Sequence, residues 1–337
     1  MNDKLKNVVV TIAFVFIIVI FFIANIIKTD DTISIAERRK LEQFPQISAK
    51  TVFNGTFFNK FNKYTTDQFV QREEFRKLKI NAEFNLLRKS DYNNLYQYGD
   101  YIISQTYPLN EKSVLNISKK INQIYEQYLT DQNNVYFTIV PDKNYFINDE
   151  NLKLDYNKLE NLLNRNLSFA KYIRIFDMLE LEDYYKTDTH WKQERLLKVA
   201  KTIAESMNVN LENEYKEKTI CDFQGTYSGQ LPISTAKDKI KILTNSEIEK
   251  SKVYNYETKK ENKVYNMEKI NSLDKYDIYL SGATPVLKIE NPENKTGNEL
   301  IIFRDSYASS LVPLFIPKYS KITLIDTRYI SPKLLPN

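Results

Sequence analysis

ELIIFRDSYASSL, residues 299–311, is the stretch that most directly indicates how this chain folds. The apolar run Glu299–Phe303 is typical of a buried strand, a polar turn follows it, and Tyr307 begins a helical pattern. Ser306 is therefore expected at the carboxyl end of a strand, beside a helix N-terminus with its unpaired N–H groups. Such groups can bind an oxyanion, so Ser306 is a candidate reactive residue. The alternative is that Asp305 or Ser306 only caps the helix.

Strand and helix patterns alternate along the rest of the chain, which predicts a layered α/β fold. Residues 211–298 differ, because they are strongly polar with short β-like runs, and we interpret them as a small β-rich excursion of the same domain. The patterns predict strands at Val135–Val140, Lys171–Met178 and Lys321–Asp326, and helices at 111–129 and Trp191–Met207.

Residues 29–110 form a predicted helical part that precedes the alternating region. Aromatic and leucine side chains recur at spacings near three and four residues or their multiples, at Phe57, Phe61, Tyr64, Phe69, Phe75, Leu78 and Phe84. This period predicts amphipathic helices whose aromatic stripe packs on another surface. A core face is the interpretation we favour over a cofactor site.

The N-terminus carries an uncharged run of twenty residues, Val8–Ile27. Its length matches the roughly 30 Å hydrocarbon core of a bilayer, so it predicts a transmembrane helix. Lys4 and Lys6 precede the run, which predicts a cytoplasmic N-terminus, a membrane anchor at 1–28 and an extracytoplasmic domain at 29–337. A cleaved signal peptide is the alternative, but the run is longer than such an apolar region and no A-x-A site follows it.

Composition excludes several classes of protein. The net charge of +5 is spread thinly, and no dense Lys/Arg run indicates nucleic-acid binding. The single Cys221 excludes an internal disulfide. With one His and one Cys in the chain, a zinc site is not expected, and we predict no cofactor, although a calcium site built from oxygen ligands stays open.

The chain's one His, His190, lies in the sequence TDTHW, Thr187–Trp191, just before a predicted helix. A lone His is more often structural or exposed than catalytic. Here Asp188 is two residues away, and residues i and i+2 of an extended segment point to the same side. A carboxylate at that place can accept the Nδ1 proton and leave Nε2 as an acceptor. His190 is therefore a candidate general base for Ser306.

These motifs together resemble a known group of proteins. LEQFP, DQFVQREEFRKLK, VPDKNYF, YYKTDTHW, GTYSGQL, LSGATPVLKI, FRDSYASSL and IDTRYI occur in the order found in the AlgX/AlgJ group of SGNH-hydrolase-like proteins. The Gram-positive relatives of that group are called DHHW proteins. The resemblance covers most of the chain after the N-terminal apolar run.

The resemblance implies a flavodoxin-like, three-layer α/β/α sandwich of the SGNH-hydrolase type. It implies that Ser306 is the nucleophile, His190 the general base and Asp188 the partner that orients it. Proteins of this kind lie outside the cytoplasmic membrane and O-acetylate secreted polysaccharides. The partners implied are a polysaccharide acceptor and a membrane-bound acyltransferase that supplies acetyl groups.

The sequence departs from the pattern at two places. Thr189 occupies the position of the first His, the second residue of the DHHW label, and Arg304 replaces the Gly of the SGNH Gly-Asp-Ser block. The oxyanion donors of that block are therefore sought elsewhere. The Tyr307 N–H is the first candidate, and Gly282, Gly229 or Gly225 is a candidate for the second. The alternative for these glycines is an ordinary turn.

Further polar residues are predicted at the sheet edge that carries Ser306, where ligands bind in open α/β sheets. Asp142, Lys143 and Tyr145 follow one predicted strand, and Arg328 follows another. Together with Arg304 they are our candidates for substrate binding.

The expected activity is transfer of an acetyl group through an acetyl-Ser306 intermediate to a sugar hydroxyl of a secreted or cell-surface polysaccharide. If water accepts the acetyl group, the same triad makes a carbohydrate acetylesterase. A third possibility is a non-catalytic polysaccharide-binding or scaffold protein of an exopolysaccharide export complex.

Overall fold

The computed structural model describes residues 3–148, 152–233 and 236–331. Contacts among residues divide the chain into two units. The first comprises residues 1–90 and the second residues 91–337. The functional division into an anchor (1–28) and an extracytoplasmic domain (29–337) stays a prediction.

The first element of the first unit is the apolar helix α1, Asp3–Ile27, which has no buried residue. It is long and apolar enough to cross a membrane, so it fits a single-pass anchor or a signal sequence. The cytoplasmic placement of its N-terminus remains a prediction from Lys4 and Lys6.

Short strands and helices complete the first unit. Phe57, Phe61 and Tyr64 on α3 contact one another and Phe44, but none of the α3 residues is buried. The predicted core face is thus wrong for this helix, because its rings form an aromatic cluster that stays partly exposed. The elements are β1 (Ile33–Ser34), β2 (Arg39–Lys40), α2 (Ala49–Phe53), α3 (Thr56–Asp67) and α4 (Arg72–Asn81), which is extended by a π-helical turn at Ala82–Leu86.

The second unit is a mixed α/β structure. Its elements in chain order are β3 (Leu95–Tyr98), β4 (Tyr101–Ser104), α5 (Glu111–Tyr128), β5 (Tyr136–Phe137), α6 (Tyr156–Asn166), β6 (Lys171–Tyr172), α7 (Leu197–Ser206), β7 (Lys216–Phe223), α8 (Thr226–Gln230), β8 (Asp238–Thr244), α9 (Ser246–Lys250), β9 (Lys252–Asn255), β10 (Lys260–Lys263), β11 (Val286–Glu290), β12 (Glu299–Phe303), α10 (Ala308–Leu311) and β13 (Lys321–Ile325). The 3-10 turns relevant to the site are Lys143–Phe146, Gln193–Arg195 and Lys275–Ile278.

A five-stranded sheet in the order β10-β9-β11-β13-β12 carries the Ser306 turn. Only β12 and β13 pair in parallel within it, and the crossover between them contains α10. Within the predicted β-rich excursion, residues 211–298, β7 and β8 form a two-stranded sheet of their own, whereas β9, β10 and β11 pair into the five-stranded sheet. Their alternating apolar residues, such as Leu287 and Ile289, supply part of the common core.

The core of the second unit lies beneath the segment that carries His190. Trp191, Tyr184 and Tyr185 are fully buried, and α7 packs Val199 and Ala200 into the same cluster. The predicted helix at Trp191–Met207 starts later, at Leu197, because Trp191 is drawn into the core and a 3-10 turn follows it. The anchored tryptophan thereby fixes the neighbouring His190 on the surface of the core.

Candidate active site

Ser306 lies where the sequence predicts it, in the turn after β12 and two residues before α10. Its side chain is half-buried, while Asp305 beside it is exposed. The register of the parallel pair sets Phe303 beside Ile325, and the Arg304 N–H donates to the Ile325 carbonyl (2.9 Å). The turn therefore leaves the sheet at its carboxyl edge, with Ser306 open on one side.

Three side chains meet at this turn. Nε2 of His190 lies 2.8 Å from Oγ of Ser306, and Nδ1 of His190 lies 2.6 Å from Oδ1 of Asp188. The same Oδ1 accepts the backbone N–H of His190 at 3.0 Å, which explains the spacing of two residues. His190 and Ser306, 116 residues apart in the chain, thus form one hydrogen-bonded line with Asp188.

The Asp188 carboxylate is fully buried and stays ionised. Burial alone would raise its pKa, but His190 and the backbone N–H groups of Thr226 and His190 outweigh burial and hold the pKa well below its usual range. Hydrogen bonds to a charged group contribute roughly 1.5–3 kcal/mol each. An ionised Asp188 keeps the proton on Nδ1, so Nε2 can accept the proton of Ser306.

The loop around Gly225 positions Asp188, a role that the sequence analysis missed. The Thr226 N–H donates to Asp188 Oδ2 at 2.9 Å, and the Gly225 N–H donates to Thr187 Oγ1 at 3.0 Å. A Cβ at position 225 would lie 2.2 Å from Asp188 Cβ, so only glycine allows this approach. Behind the loop, buried Asp238 accepts both the N–H and the hydroxyl of Thr187.

Aromatic side chains hold the imidazole. The ring of Tyr276 stacks on the ring of His190 with centroids 3.8 Å apart and planes 8° apart. The Tyr276 hydroxyl lies 2.8 Å from Ser310 Oγ, and Trp191 Nε1 donates to the Tyr307 carbonyl at 2.9 Å. The His190 segment and the Ser306 segment are therefore joined directly, which fixes the distance between base and nucleophile.

Thr189, at the variant position of the DHHW label, also joins the two segments. Its hydroxyl lies 2.9 Å from the Tyr307 hydroxyl, which donates to the Thr189 carbonyl at 2.9 Å. The departure from the label thus leaves the Asp188–His190–Ser306 line intact.

Two of the predicted oxyanion donors are engaged elsewhere. The Tyr307 N–H donates to Asp305 Oδ1 at 2.9 Å, so Asp305 caps this turn. The Gly282 N–H donates to the Tyr279 carbonyl at 3.1 Å within a turn that needs the positive φ of 84°. In this conformation neither N–H is free to bind an oxyanion, contrary to the expectation, unless its present acceptor moves aside.

The other glycine candidates lie in the loop that positions Asp188. The Gly225 N–H is bound to Thr187, as described, and Gly229 lies within α8, where its role stays a prediction. By contrast, the Ser306 N–H makes no hydrogen bond to any residue that the structure describes.

The predicted substrate-binding residues after β5 are structural. The Asp142 carboxylate accepts the Tyr145 N–H and caps the 3-10 turn Lys143–Phe146. Tyr145 packs its ring on Phe146, Tyr156 and Phe176. These contacts account for both side chains, so the expectation that they bind substrate is not supported.

Lys143 is buried, with 2% of its surface exposed, and does not face the site. Its ammonium group donates to the carbonyls of Ile102 (2.5 Å), Tyr185 (3.0 Å) and Lys186 (3.3 Å). Burial lowers the pKa of Lys143 to about 7, although Asp188 and Asp238 act in the opposite direction. Lys143 therefore holds the backbone that leads into Asp188, and the prediction of direct substrate binding is wrong.

The two arginine candidates differ. Arg304 is buried and donates to Ser309 Oγ (2.8 Å) and to the Gly282 carbonyl (3.0 Å), so it ties the turn to the Gly282 loop instead of facing substrate. Arg328 pairs with Asp326 through two hydrogen bonds of 2.9 and 2.7 Å, and half of its side chain is exposed. Arg328 thus follows β13 at the edge that carries Ser306, and its substrate contact stays a prediction.

Metal ligands are not grouped in the described part of the chain. Over residues 3–148, 152–233 and 236–331, no cluster of three or more His, Cys, Asp and Glu side chains could hold a metal ion.

Comparison with known proteins bears on the fold. No family model matches the sequence, and no curated protein does. Among solved structures, a DHHW family protein from Eubacterium siraeum matches with a TM-score of 0.58 and 21% identity, covering 72% of this chain and 86% of that chain. Bacillus cereus PatB1 matches with a TM-score of 0.55 and 16% identity, covering 70% and 88%, and has also been solved with a sulfonyl adduct (TM-score 0.56). The chain is thus similar in fold to a DHHW family protein, as its motifs suggest.

Proposed function

We propose that this protein is a serine acyltransferase that uses Ser306, His190 and Asp188 to O-acetylate an extracytoplasmic polysaccharide. The single observation that carries the proposal is the continuous line of two short hydrogen bonds, 2.6 and 2.8 Å, from Asp188 through His190 to Ser306. A structural histidine does not require a buried carboxylate on one nitrogen and a half-exposed serine hydroxyl on the other.

The chemistry follows from the His190 tautomer that the ionised Asp188 favours, with the proton on Nδ1 and Nε2 free to accept one. His190 Nε2 takes the proton of Ser306 as Oγ attacks the carbonyl carbon of an acetyl donor, and the imidazolium then gives that proton to the leaving group. The product is an acetyl ester on Ser306. A sugar hydroxyl then loses its proton to Nε2 and attacks the ester, and Ser306 recovers its proton as it leaves. Asp188 stays ionised and stabilises the imidazolium in both half-reactions.

The oxyanion of each tetrahedral intermediate requires donors close to Ser306. We assign the first donor to the Ser306 N–H, since the Tyr307 N–H is held by Asp305. Movement of the exposed Asp305 carboxylate on substrate binding would release the Tyr307 N–H as a second donor.

The acceptor and the cellular setting extend the proposal beyond the triad. The order of eight motifs supports an SGNH-like α/β/α arrangement, a polysaccharide acceptor and a membrane-bound acyltransferase as acetyl supplier. The apolar α1 is compatible with an extracytoplasmic domain held at the membrane. Arg328 is the candidate for contact with the glycan, because its guanidinium is exposed at the sheet edge that carries Ser306.

A carbohydrate acetylesterase is the second candidate. The half-exposed position of Ser306 favours it, because water can approach an acetyl group held there. A non-catalytic scaffold is less well supported, since it leaves the alignment of three side chains without a role.

The test uses the purified full-length chain with 4-nitrophenyl acetate, with and without oligosaccharides. We expect acetylated sugar from a transferase and free acetate alone from an esterase, and at least a 1,000-fold loss (order of magnitude) in Ser306→Ala. The fold neighbour with a sulfonyl adduct suggests a second readout, sulfonylation of Ser306 detected by peptide mass. Ser320→Ala, at the opposite end of β13, is the matched control. Full activity in Ser306→Ala would rule the mechanism out.

A further inference from the structure

Helix α4 buries Ile80 but exposes its other two large apolar side chains, Phe75 and Leu78. The side chains of Arg72 and Arg76 point inward, where Arg72 pairs with Glu37 at 2.8 Å and Arg76 pairs with Glu73 at 2.5 Å. Arg76 is only 12% exposed, whereas Leu78 is 65% exposed. A surface helix in water normally shows the opposite arrangement, with its apolar stripe toward the core.

The outward apolar residues form one stripe. Phe75, Leu78 and Ala82 follow at spacings of three and four residues, and Leu86, 78% exposed, comes four residues later in the π-helical turn. Lys77 lies about 100° of helix rotation away from Leu78, on a polar part of the same exposed side. The exposed surface of this segment is therefore divided into an apolar and a polar strip, as in helices that lie in a membrane interface.

Contacts to α1 connect the stripe to the predicted membrane span. The ring of Phe21 stacks on Phe69 and meets the edge of Phe75, both with centroids 5.8 Å apart. Asn25 Oδ1 accepts the Val70 N–H at 2.9 Å. Phe21 lies six residues before the end of α1, or about 9 Å along the helix axis. If α1 spans a bilayer, Phe75 meets it at the depth of about 5–10 Å that interfacial helices occupy.

Charge along the segment fits the same surface. Residues 77–89 contain four exposed basic side chains and one acidic side chain, and basic residues near a membrane surface are attracted by anionic headgroups. The basic residues are Lys77, Lys79, Arg88 and Lys89.

We infer that the apolar stripe of Phe75, Leu78, Ala82 and Leu86 is seated in the headgroup and acyl boundary of the bilayer that α1 spans. In this arrangement α1 is a retained, packed part of the first unit and not a removable leader. We assign lipid as the occupant of the stripe, because Phe75, the first residue of the stripe, contacts Phe21 of the membrane-spanning α1. The inference rests on α1 as a membrane span and is independent of the chemistry at Ser306.

The test places an environment-sensitive fluorophore at single cysteines in the full-length chain. Cys221→Ser removes the one native cysteine, and Leu78→Cys and Leu86→Cys report on the stripe. Lys77→Cys is the matched control on the polar strip. Each labelled protein is reconstituted into phosphatidylcholine and phosphatidylglycerol vesicles, with circular dichroism to check folding. The readouts are the emission wavelength and quenching by acyl-chain nitroxides or by aqueous iodide.

We expect blue-shifted emission, strong nitroxide quenching and several-fold weaker iodide quenching at positions 78 and 86 than at 77. Equal iodide quenching at all three positions would overturn the inference. Shielding at 78 and 86 in native membranes but not in pure lipid would also overturn it and would indicate a protein partner. Intact-mass analysis of protein extracted from membranes should show a chain that retains α1, and loss of α1 would contradict the proposal. Acetyl transfer measured on the same samples keeps this outcome separate from that at Ser306.

Discussion

The loop Thr187–Trp191 and the turn Arg304–Tyr307 both contribute to the candidate triad, but the protein holds them differently. In the loop, Thr187 and Asp188 are fully buried, and hydrogen bonds from a second loop fix both. In the turn, Ser306 is half-buried and Asp305 is exposed. The core therefore preorganises the base and its orienting carboxylate, whereas the nucleophile faces the space that substrate must enter.

The substitution with the largest expected effect is Asp188→Asn, which preserves the shape of the side chain but removes the charge that fixes the imidazole tautomer. We expect the rate of acetyl transfer to fall by about 10⁴-fold, the size of the effect of the same change in a Ser-His-Asp protease. The measurement is kcat/KM for 4-nitrophenyl acetate. Asp142→Asn, at a half-buried capping carboxylate outside the triad, is the control for loss of a hydrogen-bonded charge. Similar losses in both variants would mean that Asp188 only stabilises the fold.

A smaller effect is expected from Gly225→Ala, which tests whether the loop is held as tightly as the contacts indicate. The added Cβ would lie 2.2 Å from Asp188 Cβ and 2.5 Å from the Thr187 carbonyl, so Asp188 must shift. We expect a loss of about 10²-fold in kcat/KM, since displacements near 1 Å have effects of that order. Gly297→Ala is the control, because open space surrounds position 297 and only its positive φ is strained. Unchanged activity in Gly225→Ala would show that the loop adjusts freely.

The smallest expected effect concerns pH, through Lys143 beneath the same loop. Its pKa is about 7 in the folded protein because of burial, against about 10.4 in an unfolded chain. Between these values the unfolded state binds the extra proton, so the free energy of unfolding should rise with pH, by up to about 1.4 kcal/mol per pH unit. Denaturant unfolding in detergent from pH 7 to 10 measures this slope. Lys143→Met should lack this contribution, and equal slopes in both proteins would contradict the assignment.

Much of the local structure could be predicted from periodicity and composition. The apolar α1, the helix at Glu111–Tyr128 and the strand Glu299–Phe303 lie where their patterns place them. These elements depend on neighbours along the chain, so local sequence contains the necessary information. The strand predicted at Val135–Val140 is reduced to Tyr136–Phe137, because sheet pairing and not local pattern sets its length.

The predicted site residues separate in the same way. Ser306, His190 and Asp188 were identifiable because their chemical types and spacings indicate a function. Lys143 shows no such signal, since a lysine after a strand gives no local indication that the fold will bury its ammonium group against three backbone carbonyls. Tyr276, which stacks on His190, is 86 residues away in sequence and belongs to no motif that indicates this contact.

By itself, the sequence determined the apolar helix at the N-terminus, the serine turn after a strand and the pairing of the chain's one histidine with an aspartate two residues earlier. Only the tertiary structure decided that Nε2 of His190 faces the Ser306 hydroxyl, that Gly225 positions Asp188 instead of binding an oxyanion, and that α4 turns its apolar stripe outward. The physical reason is the range of the interactions: helix and strand patterns arise between residues a few positions apart, whereas burial and hydrogen-bond partners depend on segments that meet only when the chain is folded.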